Sequence, residues 1–434
     1  MTTALEQRLR SREAVVGVIG LGYVGLPLAV SFAEVGFSVV GFDVSDLAVN
    51  GLNAGRSHID DISSERVASL ISRRAFRATN DVTDLRACDA IFICVPTPFD
   101  KLKTPDLSYV EAATRTVAKV LRAEMLVILQ STTYPGTTTE FVRPILEEGG
   151  LVAGRDFHLA FSPERVDPGN TTWNVRNTPK VVGGLSARCT ELAAVLLESL
   201  MEDASLVRRV ESPEVAEMAK LLENTYRAVN VALVNEFAKL CHQLHIDIWD
   251  VVDAAASKPF GFQSFTPGIG PGGHCIPVDP LYLAWKARQS GAPALLLELA
   301  VEVNDSMAEF VVNRIEKYLA SFSQPITGAR ILCLGAAFKQ GVSDTRNSRA
   351  IRVMQLLSEH GAVVSYCDSR VPKVVLNGSE LLSIPLPSVS NASVDLVVIL
   401  VSGDWPIDQL EARQIKVFDA VNASQRRSAI IERL

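Results

Sequence analysis

The chain has 434 residues, of which 48% are hydrophobic and 21% are charged, and its formal net charge at pH 7 is −7. This length exceeds that of one ordinary core and predicts two or three domains, and the acidic balance without a basic block disfavours a nucleic-acid-binding surface. The charged start and the lack of an apolar run of about 18 residues disfavour a signal peptide and a membrane span, so a cytoplasmic protein with no membrane partner is expected.

The first predicted element is a buried strand, AVVGVIG from Ala14, which runs into the glycine-rich loop GLGYVG. Helical spacing follows in LPLAVSFAEVG, and a second strand follows in FSVVGFDVS. This order of strand, loop, helix and strand is the fingerprint of a dinucleotide-binding fold, although a glycine loop alone can also be a structural turn. The predicted binding residues are Gly20 for the tight turn, Gly22 for close approach to a pyrophosphate, Gly25 for helix packing, and the intervening Tyr23 and Val24.

An acidic residue ends the second predicted strand. Asp43 stands 18 residues after Gly25, where a carboxylate can accept a hydrogen bond from a ribose hydroxyl. The same carboxylate would repel a 2′-phosphate, so the predicted cofactor is NAD. Two further strands, in DAIFICVPTP and MLVILQSTTYPGTT, place Thr97, Ser131 and Thr132 at the carboxyl edge of a parallel sheet. These hydroxyls either contact the cofactor or only close turns.

The second half of the chain repeats this pattern. ARILCLGAAFK is a strand and loop, SRAIRVMQLLSEHG a helix, and AVVSYCDSRV and VDLVVILVSGDW are strands. The loop GAAFKQG lacks the third glycine, so a nucleotide other than a dinucleotide is permitted there. Between the halves, a long helix is predicted with Ser212 as its N-cap and Pro213 at its first position. We therefore expect an α/β fold with two Rossmann-like doubly wound domains joined by a long central helix.

The long helix and a loop before it carry further candidate residues. Lys220 and Asn224 are four residues apart, so they share one helix face, although a solvated lysine beside an asparagine is the simpler interpretation. The loop FSPERVDPGN carries Glu164 and Asp167, which could equally be surface acids in a turn. The apolar face of the helix could pair with a second subunit, and a homodimer is expected.

One of the seven cysteines differs from the others in its surroundings. Most occur in apolar, strand-like runs and are interpreted as reduced core thiols, whereas Cys275 lies in the loop GPGGHCIPVDP. It could bind a metal with His274 and Asp279, but adjacent residues rarely point at one ion and no second ligand pair is present, so no metal site is predicted. It could also be a buried structural thiol. The third possibility is a nucleophile, presented to a bound carbonyl by a glycine-rich backbone.

A nicotinamide enzyme has a specific use for such a thiol. Oxidation of an alcohol by NAD gives an aldehyde, which is a poor hydride donor. Addition of a thiolate gives a tetrahedral thiohemiacetal, which donates a second hydride and leaves a thioester that water cleaves to the acid. The combination of a cysteine with a dinucleotide fold therefore indicates oxidation of an alcohol in two steps.

Seven motifs follow one another along the chain: GLGYVGLPLA, CVPTP, STTYPGTT, FSPER, the helix carrying Lys220 and Asn224, GGHCIPVDP and FKQGVSDTRNS. They occur in the order seen in the nucleotide-sugar 6-dehydrogenases, and the chain resembles this family from about residue 14 to 425. The resemblance implies an N-terminal NAD-binding Rossmann domain (1–205), a central helical dimerisation and catalytic region (206–315) and a C-terminal UDP-sugar-binding Rossmann-like domain (316–434). It further implies a role in polysaccharide biosynthesis.

The same resemblance implies roles for individual residues. Cys275 would be the nucleophile, Lys220 and Asn224 would stabilise the oxyanion at C6, and an ammonium near Cys275 would favour its thiolate. Asp279 and Thr132 would position water, and Glu164 would be the acid/base for thioester hydrolysis. The substrate-binding residues implied are Glu164, Lys220, Asn224, Gly272, Lys339 and Arg346.

Substrate choice depends on finer features. The sequence is most similar to the branch that oxidises UDP-N-acetylglucosamine, with UDP-glucose and UDP-N-acetylmannosamine as alternatives. Val278 stands where some UDP-glucose enzymes have lysine, and Ile269 and Pro271 reverse a common order in the cysteine loop. Two rival classes are a β-hydroxyacid dehydrogenase and a non-catalytic NAD-binding protein. Neither class needs Cys275.

Overall fold

In the computed structural model of the protein, residues 3–100, 104–273, 275–386 and 393–434 are described. The chain forms two compact units. The first unit contains residues up to Glu223 together with Trp285–Gly291, and the second contains Asn224–Ala284 and Ala292–Leu434. No helix among the described residues is both long and apolar enough to span a membrane.

The first unit is built on an eight-stranded sheet in the order β3-β2-β1-β4-β5-β6-β7-β8, in which every pairing is parallel except β6 with β7. Its inner strands are short, continuously apolar runs and are buried on both faces, as parallel strands covered by helices require. The strands are β1 (Val15–Ile19), β2 (Ser38–Phe42), β3 (Phe76–Thr79), β4 (Ala90–Ile93), β5 (Leu126–Leu129), β6 (His158–Phe161), β7 (Lys180–Gly184) and β8 (Val207–Arg209).

Helices of the first unit pack against this sheet and complete its core. Most begin at a serine or threonine whose side chain accepts a hydrogen bond from the first turn, which satisfies backbone N–H groups there. A π-helical segment (Thr137–Val142) precedes the sixth helix. The helices are α1 (Ala4–Ser11), α2 (Gly25–Glu34), α3 (Asp46–Asn53), α4 (Ser64–Ser72), α5 (Ser108–Ala118), α6 (Arg143–Glu147) and α7 (Ala187–Leu200).

The predicted long helix is α8 (Pro213–Leu244), with 32 residues. Ser212 caps it, since its Oγ accepts a hydrogen bond from the Val215 N–H at 3.4 Å. The helix ends before His245, whose φ of 59° is left-handed. The residues up to Glu223 belong to the first unit and the remainder to the second. The long central helix expected from the sequence is thus confirmed.

The second unit contains a five-stranded, all-parallel sheet in the order β10-β9-β13-β14-β15 and a separate antiparallel hairpin. The sheet strands are β9 (Arg330–Leu334), β10 (Val363–Cys367), β13 (Leu396–Ile399), β14 (Val417–Asp419) and β15 (Ile431–Arg433), and the hairpin is β11 (Lys373–Leu376) with β12 (Ser379–Leu382). The helices are α9 (Ile248–Ala256), α10 (Asp279–Gln289), whose last five residues belong to the first unit, α11 (Leu295–Asp305), α12 (Met307–Ala320), α13 (Arg349–Glu359) and α14 (Ile407–Ala412).

In both halves, an aspartate side chain binds the backbone N–H at the start of the first strand. In the first, Asp89 precedes β4 and its Oδ2 accepts a hydrogen bond from the Val15 N–H at the start of β1, at 2.8 Å. In the second, Asp395 precedes β13 and its Oδ2 accepts one from the Arg330 N–H at the start of β9, at 2.7 Å. The segments β1-α2-β2 and β9-α13-β10 therefore begin from the same anchored geometry. The predicted α/β class with Rossmann-like halves is confirmed.

Candidate active site

Of the three glycines in the loop after β1, Gly22 has free space beside it, whereas Gly20 and Gly25 are closely packed. Gly20 has a φ of +89°, and a β-carbon there would stand 2.6 Å from the Cys94 carbonyl oxygen. A β-carbon on Gly25 would stand 1.8 Å from the Gly20 carbonyl oxygen, so α2 can approach the loop only with glycine there. A β-carbon on Gly22 would meet nothing within 4 Å. The space beside exposed Gly22 and half-buried Tyr23 and Val24 thus fits a cofactor pyrophosphate.

Asp43, at the carboxyl end of β2, holds the same loop. Its Oδ2 accepts a hydrogen bond from the Leu21 N–H and its Oδ1 accepts one from the Ser45 N–H, each at 2.9 Å. The side chain is only partly buried, so the carboxylate keeps lone pairs for a ribose hydroxyl. Its contact with ribose stays a prediction.

The hydroxyls predicted at the ends of β4 and β5 differ in their surroundings. Ser131 Oγ accepts a hydrogen bond from the Val95 N–H at 2.9 Å and donates one to the Val95 carbonyl oxygen at 2.8 Å. It therefore joins the ends of two neighbouring strands, which is the turn-closing interpretation. Thr97 is buried and Thr132 is half-buried. Direct contact of these three hydroxyls with the cofactor stays a prediction.

Glu164 is held inside the first unit and is no surface acid. Its side chain is 12% exposed, and Lys180, whose side chain is 1% exposed, lies 2.7 Å away with its Nζ at Oε1. Gln130 Nε2 donates a hydrogen bond to Oε2 at 2.8 Å. Burial raises the pKa of Glu164, but the charge of Lys180 and the hydrogen bonds to the carboxylate outweigh burial and lower that pKa below its usual value. Asp167, by contrast, is exposed.

The first turns of α8 fasten the two loops that carry the predicted residues. Glu217 is buried and accepts hydrogen bonds from the Gly136 N–H at 2.6 Å and from the Thr138 N–H at 2.9 Å, in the loop STTYPGTT. Glu223 forms an ion pair with Arg165 of FSPER at 2.7 Å. These contacts fix both loops to one helix.

Lys220 lies on α8 between the two anchoring glutamates in sequence, and it is 8% exposed. The interpretation of Lys220 as a solvated surface lysine therefore does not hold. Lys220 belongs to the first unit together with Glu164 and Thr132, whereas Asn224, Cys275 and Asp279 belong to the second.

The second unit brings together three predicted catalytic residues. Asn224 Nδ2 donates a hydrogen bond to Oδ2 of Asp279 at 2.5 Å, and Asp279 is buried at 2% exposure. The Asp279 N–H donates to the Cys275 carbonyl oxygen at 2.8 Å, in the turn that leads into α10. Cys275 itself is exposed. A fixed carboxylate and amide thus stand one turn from an accessible thiol.

The glycines before Cys275 allow the loop to lie against the loop after β9. A β-carbon on Gly272 would stand 3.0 Å from both the Phe338 β-carbon and the Asn347 carbonyl oxygen, and one on Gly273 would stand 2.9 Å from the Phe338 ring. Asn347 Nδ2 donates a hydrogen bond to the Gly273 carbonyl oxygen at 3.1 Å. The motif FKQGVSDTRNS therefore supports the cysteine loop as well as carrying the predicted substrate residues.

Those substrate residues are Lys339 and Arg346. Lys339 Nζ lies 5.8 Å from the centroid of the Phe338 ring. Arg346 makes a two-oxygen ion pair with Asp344, with Nε–Oδ1 at 3.0 Å and Nη2–Oδ2 at 2.6 Å, and remains 46% exposed. Both cations stand in the loop that packs on the cysteine loop. Their contact with a UDP-sugar stays a prediction.

The remaining cysteines have the burial expected of core thiols. Five are buried and Cys367 is partly buried, and burial raises the pKa of Cys88 to about 12. His274, named in the metal alternative, lies outside the described residues. Among the described residues, no group of three or more His, Cys, Asp or Glu side chains could hold a metal ion. The buried cysteines are Cys88, Cys94, Cys189, Cys241 and Cys333.

Three residues that contact the predicted site residues or their loops were not predicted from the sequence. Gln130 directly precedes the motif STTYPGTT, and Glu217 stands one helical turn before Lys220, so each had a local signal. Lys180 had only a weak sequence signal. It is a charged residue at the start of the apolar run KVVGG, 16 residues after its partner Glu164.

Comparison with known proteins identifies the family to which the chain belongs. Residues 14–201 match the NAD binding domain of the UDP-glucose/GDP-mannose dehydrogenase family, residues 214–306 match its central domain, and residues 332–424 match its UDP binding domain. The domain boundaries at 205/206 and 315/316 stay predictions.

Similar proteins act on different UDP-sugars. The chain is 34% identical over 411 residues to a UDP-N-acetyl-D-glucosamine 6-dehydrogenase of Salmonella typhi, covering 94% of this chain and 93% of that protein. It is 37% identical over 343 residues to a UDP-N-acetyl-D-mannosamine dehydrogenase of Pyrococcus horikoshii, covering 79% and 80%. The solved structure of a UDP-D-ManNAc dehydrogenase from Pyrococcus horikoshii superposes with a TM-score of 0.87 at 32% identity, covering 96% and 98%. The chain therefore belongs to the UDP-glucose/GDP-mannose dehydrogenase family and is an NAD-dependent UDP-sugar dehydrogenase.

Proposed function

We propose that the protein oxidises the C6 hydroxyl of UDP-N-acetylglucosamine to a carboxylate, which gives UDP-N-acetylglucosaminuronic acid. The observation that carries this proposal is the exposure of Cys275, while five of the other six cysteines are buried. A thiol on a glycine-rich loop, one turn from the paired Asn224 and Asp279, can form and release a covalent bond to a carbonyl carbon. Neither a β-hydroxyacid dehydrogenase nor a non-catalytic NAD-binding protein needs this arrangement.

The bonds made at Cys275 follow from the chemistry of the aldehyde. The first hydride transfer gives an aldehyde at C6. The sulfur of Cys275 adds to its carbonyl carbon as a thiolate, and the carbonyl oxygen takes up a proton to give a thiohemiacetal. Collapse of this group with loss of hydride and of the oxygen-bound proton leaves a thioester. NAD supplies the hydride acceptor, so one alcohol, one water and two NAD⁺ give one carboxylate, two NADH and three protons. Water then replaces sulfur at C6, and the thiolate is restored.

The other residues of the site stabilise charge and move protons in this scheme. Lys220 and Asn224 stabilise the negative oxygen at C6. Hydrogen-bond donors that are already oriented before this charge develops need little reorganisation during the reaction. Asp279 and Thr132 position the hydrolytic water, and Glu164 removes its proton. The buried position of Lys220 supports this role, since a buried ammonium attracts a developing oxyanion more strongly than a solvated one.

Separate residues bind the cofactor and the UDP end of the substrate. The loop Gly20–Gly25 receives the pyrophosphate of NAD and Asp43 receives its adenosine ribose, with Thr97, Ser131 and Thr132 at the adjoining strand ends. Lys339 and Arg346 contact the UDP-sugar beside Gly272. The proposed domains are residues 1–205 for NAD, 206–315 for catalysis and dimerisation, and 316–434 for the UDP-sugar.

UDP-N-acetylglucosamine is preferred because the block AASKPFGFQSFTPG, with FSPERVDPGN and GGHCIPVDP, is most like that branch. Two relatives of 34% and 36% identity carry this activity in their names. UDP-N-acetylmannosamine is the second candidate, favoured by a relative of 37% identity and by the structural match at a TM-score of 0.87. UDP-glucose is the third.

We also propose that the enzyme is a cytoplasmic homodimer. In the part of α8 that belongs to the second unit, five large apolar side chains are each about half exposed or more, and their spacing places them within about 60° of one helix face. A continuous exposed apolar stripe of this kind marks a protein interface. The residues are Tyr226, Leu233, Phe237, Leu240 and Leu244.

The stoichiometry of NADH tests the reaction and the substrate together. Limiting amounts of the three UDP-sugars are each incubated with excess NAD, and NADH and uronic acid are measured. We expect two NADH per molecule of UDP-N-acetylglucosamine, with an equal yield of acid. Two NADH from UDP-N-acetylmannosamine alone would transfer the proposal to that sugar. One NADH per sugar would contradict the double oxidation and reduce Cys275 to a structural thiol.

A further inference from the structure

We infer that Lys180 is a positioning residue that keeps Glu164 ionised and leaves a single carboxylate oxygen, Oε2, to receive the proton of the hydrolytic water. This inference rests on the proposed function, in which Glu164 removes that proton. It adds a residue with no assigned role and specifies which oxygen acts.

The contacts of Glu164 distinguish its two oxygens. Oε1 is 2.7 Å from Lys180 Nζ, and it also accepts hydrogen bonds from the backbone N–H groups of Arg165 at 2.8 Å and Val166 at 3.0 Å. Three donors saturate this oxygen. A water molecule therefore has no good approach to Oε1.

Among the described residues, Oε2 receives one donor, Gln130 Nε2, at 2.8 Å. A carboxylate oxygen has two lone pairs in its plane, so one lone pair of Oε2 stays available. Gln130 is 4% exposed, and Cys94 Sγ lies 3.8 Å from its Oε1, so the amide is itself fixed in orientation. The base can thus accept a proton in one direction only.

Lys180 explains why this carboxylate stays charged although it is mostly buried. The lysine opens β7 at 1% exposure, where an unpaired ammonium would be very costly, and Glu164 compensates its charge at 2.7 Å. In return, the ammonium favours the charged form of Glu164 and opposes the effect of burial on its pKa. Removal of Lys180 would therefore raise the pKa of Glu164.

The proton balance of the step is simple. A water O–H proton moves to Oε2 as the water oxygen bonds to the thioester carbon, and the C–S bond breaks with the electron pair left on sulfur. Glu164 later releases the proton to solvent. Lys180 transfers no proton in this step.

The test compares Lys180→Met, which removes the charge and the hydrogen bond, with Lys180→Gln, which removes the charge alone, and with Lys180→Arg as the charge-retaining control. The pH profile of acid formation is measured at saturating NAD and UDP-sugar, and the covalent adduct is followed by intact-mass spectrometry. In both neutral variants, we expect the acidic limb of the profile to move upward by about one pH unit or more. At pH values below the shifted limb, acid formation should fall about tenfold or more relative to the wild type and the acyl-enzyme should accumulate, with recovery as the pH rises above that limb.

Two controls distinguish the inferred role of Lys180 from a purely structural one. Lys180→Arg should retain the wild-type profile, and the Kd for NAD should be unchanged in all three variants. An unshifted acidic limb in Lys180→Gln, or a loss that is equal at every pH, would overturn the inference. If the wild-type enzyme releases only one NADH per sugar, the proposed function fails irrespective of Lys180, so the two failures are distinguishable.

Discussion

Asp43 and Asp368 make the same two contacts in the two halves of the chain. Asp43 binds the Leu21 and Ser45 N–H groups, each at 2.9 Å, and Asp368 binds the Ala336 N–H at 2.8 Å and the Arg370 N–H at 2.9 Å. Each carboxylate therefore fixes a glycine loop to the end of the second strand of its half. A cofactor ribose is expected only at Asp43.

This repetition offers a matched pair of variants. Asp43→Ala should raise the Kd for NAD about tenfold, or about 1.4 kcal/mol, because it removes both the ribose acceptor and a loop contact. Asp368→Ala removes the equivalent loop contacts and should leave the Kd for NAD unchanged. Isothermal titration with NAD measures both. An unchanged Kd in Asp43→Ala would contradict the placement of the ribose.

Asp395 gives a stability contribution that depends on pH. Arg330 binds it through side-chain hydrogen bonds and through the backbone N–H, and these interactions lower the pKa of Asp395 to about 2 from an ordinary value of 3.8. Because the folded-state pKa is the lower one, the contribution is fully present above about pH 4 and is lost as the pH falls toward 2.

The corresponding variant is Asp395→Asn. Since Arg330 is 42% exposed and solvent screens the pair, the loss at neutral pH should be about 1 kcal/mol. We expect the variant to melt a few degrees below the wild type at pH 7, with the gap narrowing between about pH 4 and pH 2. Thermal unfolding followed by circular dichroism measures this gap. A gap that stays constant across this range would contradict the role of the ionised pair.

The first turns of α8 contact the two loops that carry Thr132 and Glu164. Glu217 is 1% exposed and binds two backbone N–H groups and the Thr138 hydroxyl. In Glu217→Ala, these donors would be buried without partners, and we expect a loss of about 3 kcal/mol. Thermal unfolding should show a clear drop in Tm. Glu214→Ala is the control, because its half-buried contact with Thr139 should contribute less than about 1 kcal/mol. Equal losses would contradict the anchoring role of Glu217.

Elements with a strong local pattern were predicted well from the sequence. The strand before GLGYVG is β1, and the helix expected after Ser212 is α8 with Ser212 as its cap, because burial and capping act over a few neighbouring residues. The antiparallel pairing of β6 with β7 had no such signal. Strand neighbours are chosen by the packing of the whole sheet, which a local pattern does not encode.

The candidate site shows the same division. Cys275, Glu164 and Lys220 stand in distinctive motifs. The glycine-rich surroundings of Cys275 suggested a nucleophile, whereas the roles of Glu164 and Lys220 were implied by the family resemblance. Lys180 and Gln130 contact Glu164 only after the sheet has formed, from the start of β7 and the end of β5. Motif resemblance could therefore name the proposed reacting groups, whereas Lys180 and Gln130, which contact Glu164, required the folded structure.

The exposed stripe of α8 concerns the assembly of the whole enzyme. Leu240 is 52% exposed and Phe237 is 47% exposed in the single chain. A dimer would cover this stripe, and a charge placed within it would oppose association. Leu240→Glu should therefore shift the protein toward monomer in analytical ultracentrifugation. Val363→Glu, at a 61% exposed position on β10, is the control and should leave the assembly unchanged. A wild-type monomer would contradict the dimer.

The central claim is that Cys275 carries the substrate as a thioester. The most direct measurement is intact-mass spectrometry of Glu164→Gln after addition of UDP-N-acetylglucosamine and NAD, with peptide mapping of any adduct. We expect a covalent acyl adduct on Cys275, removable by hydroxylamine, because the first chemical steps proceed while hydrolysis is slow. The double variant with Cys275→Ser should carry no adduct and should still bind NAD. Acid formation by Cys275→Ser at the wild-type rate, or an adduct on another residue, would contradict the account.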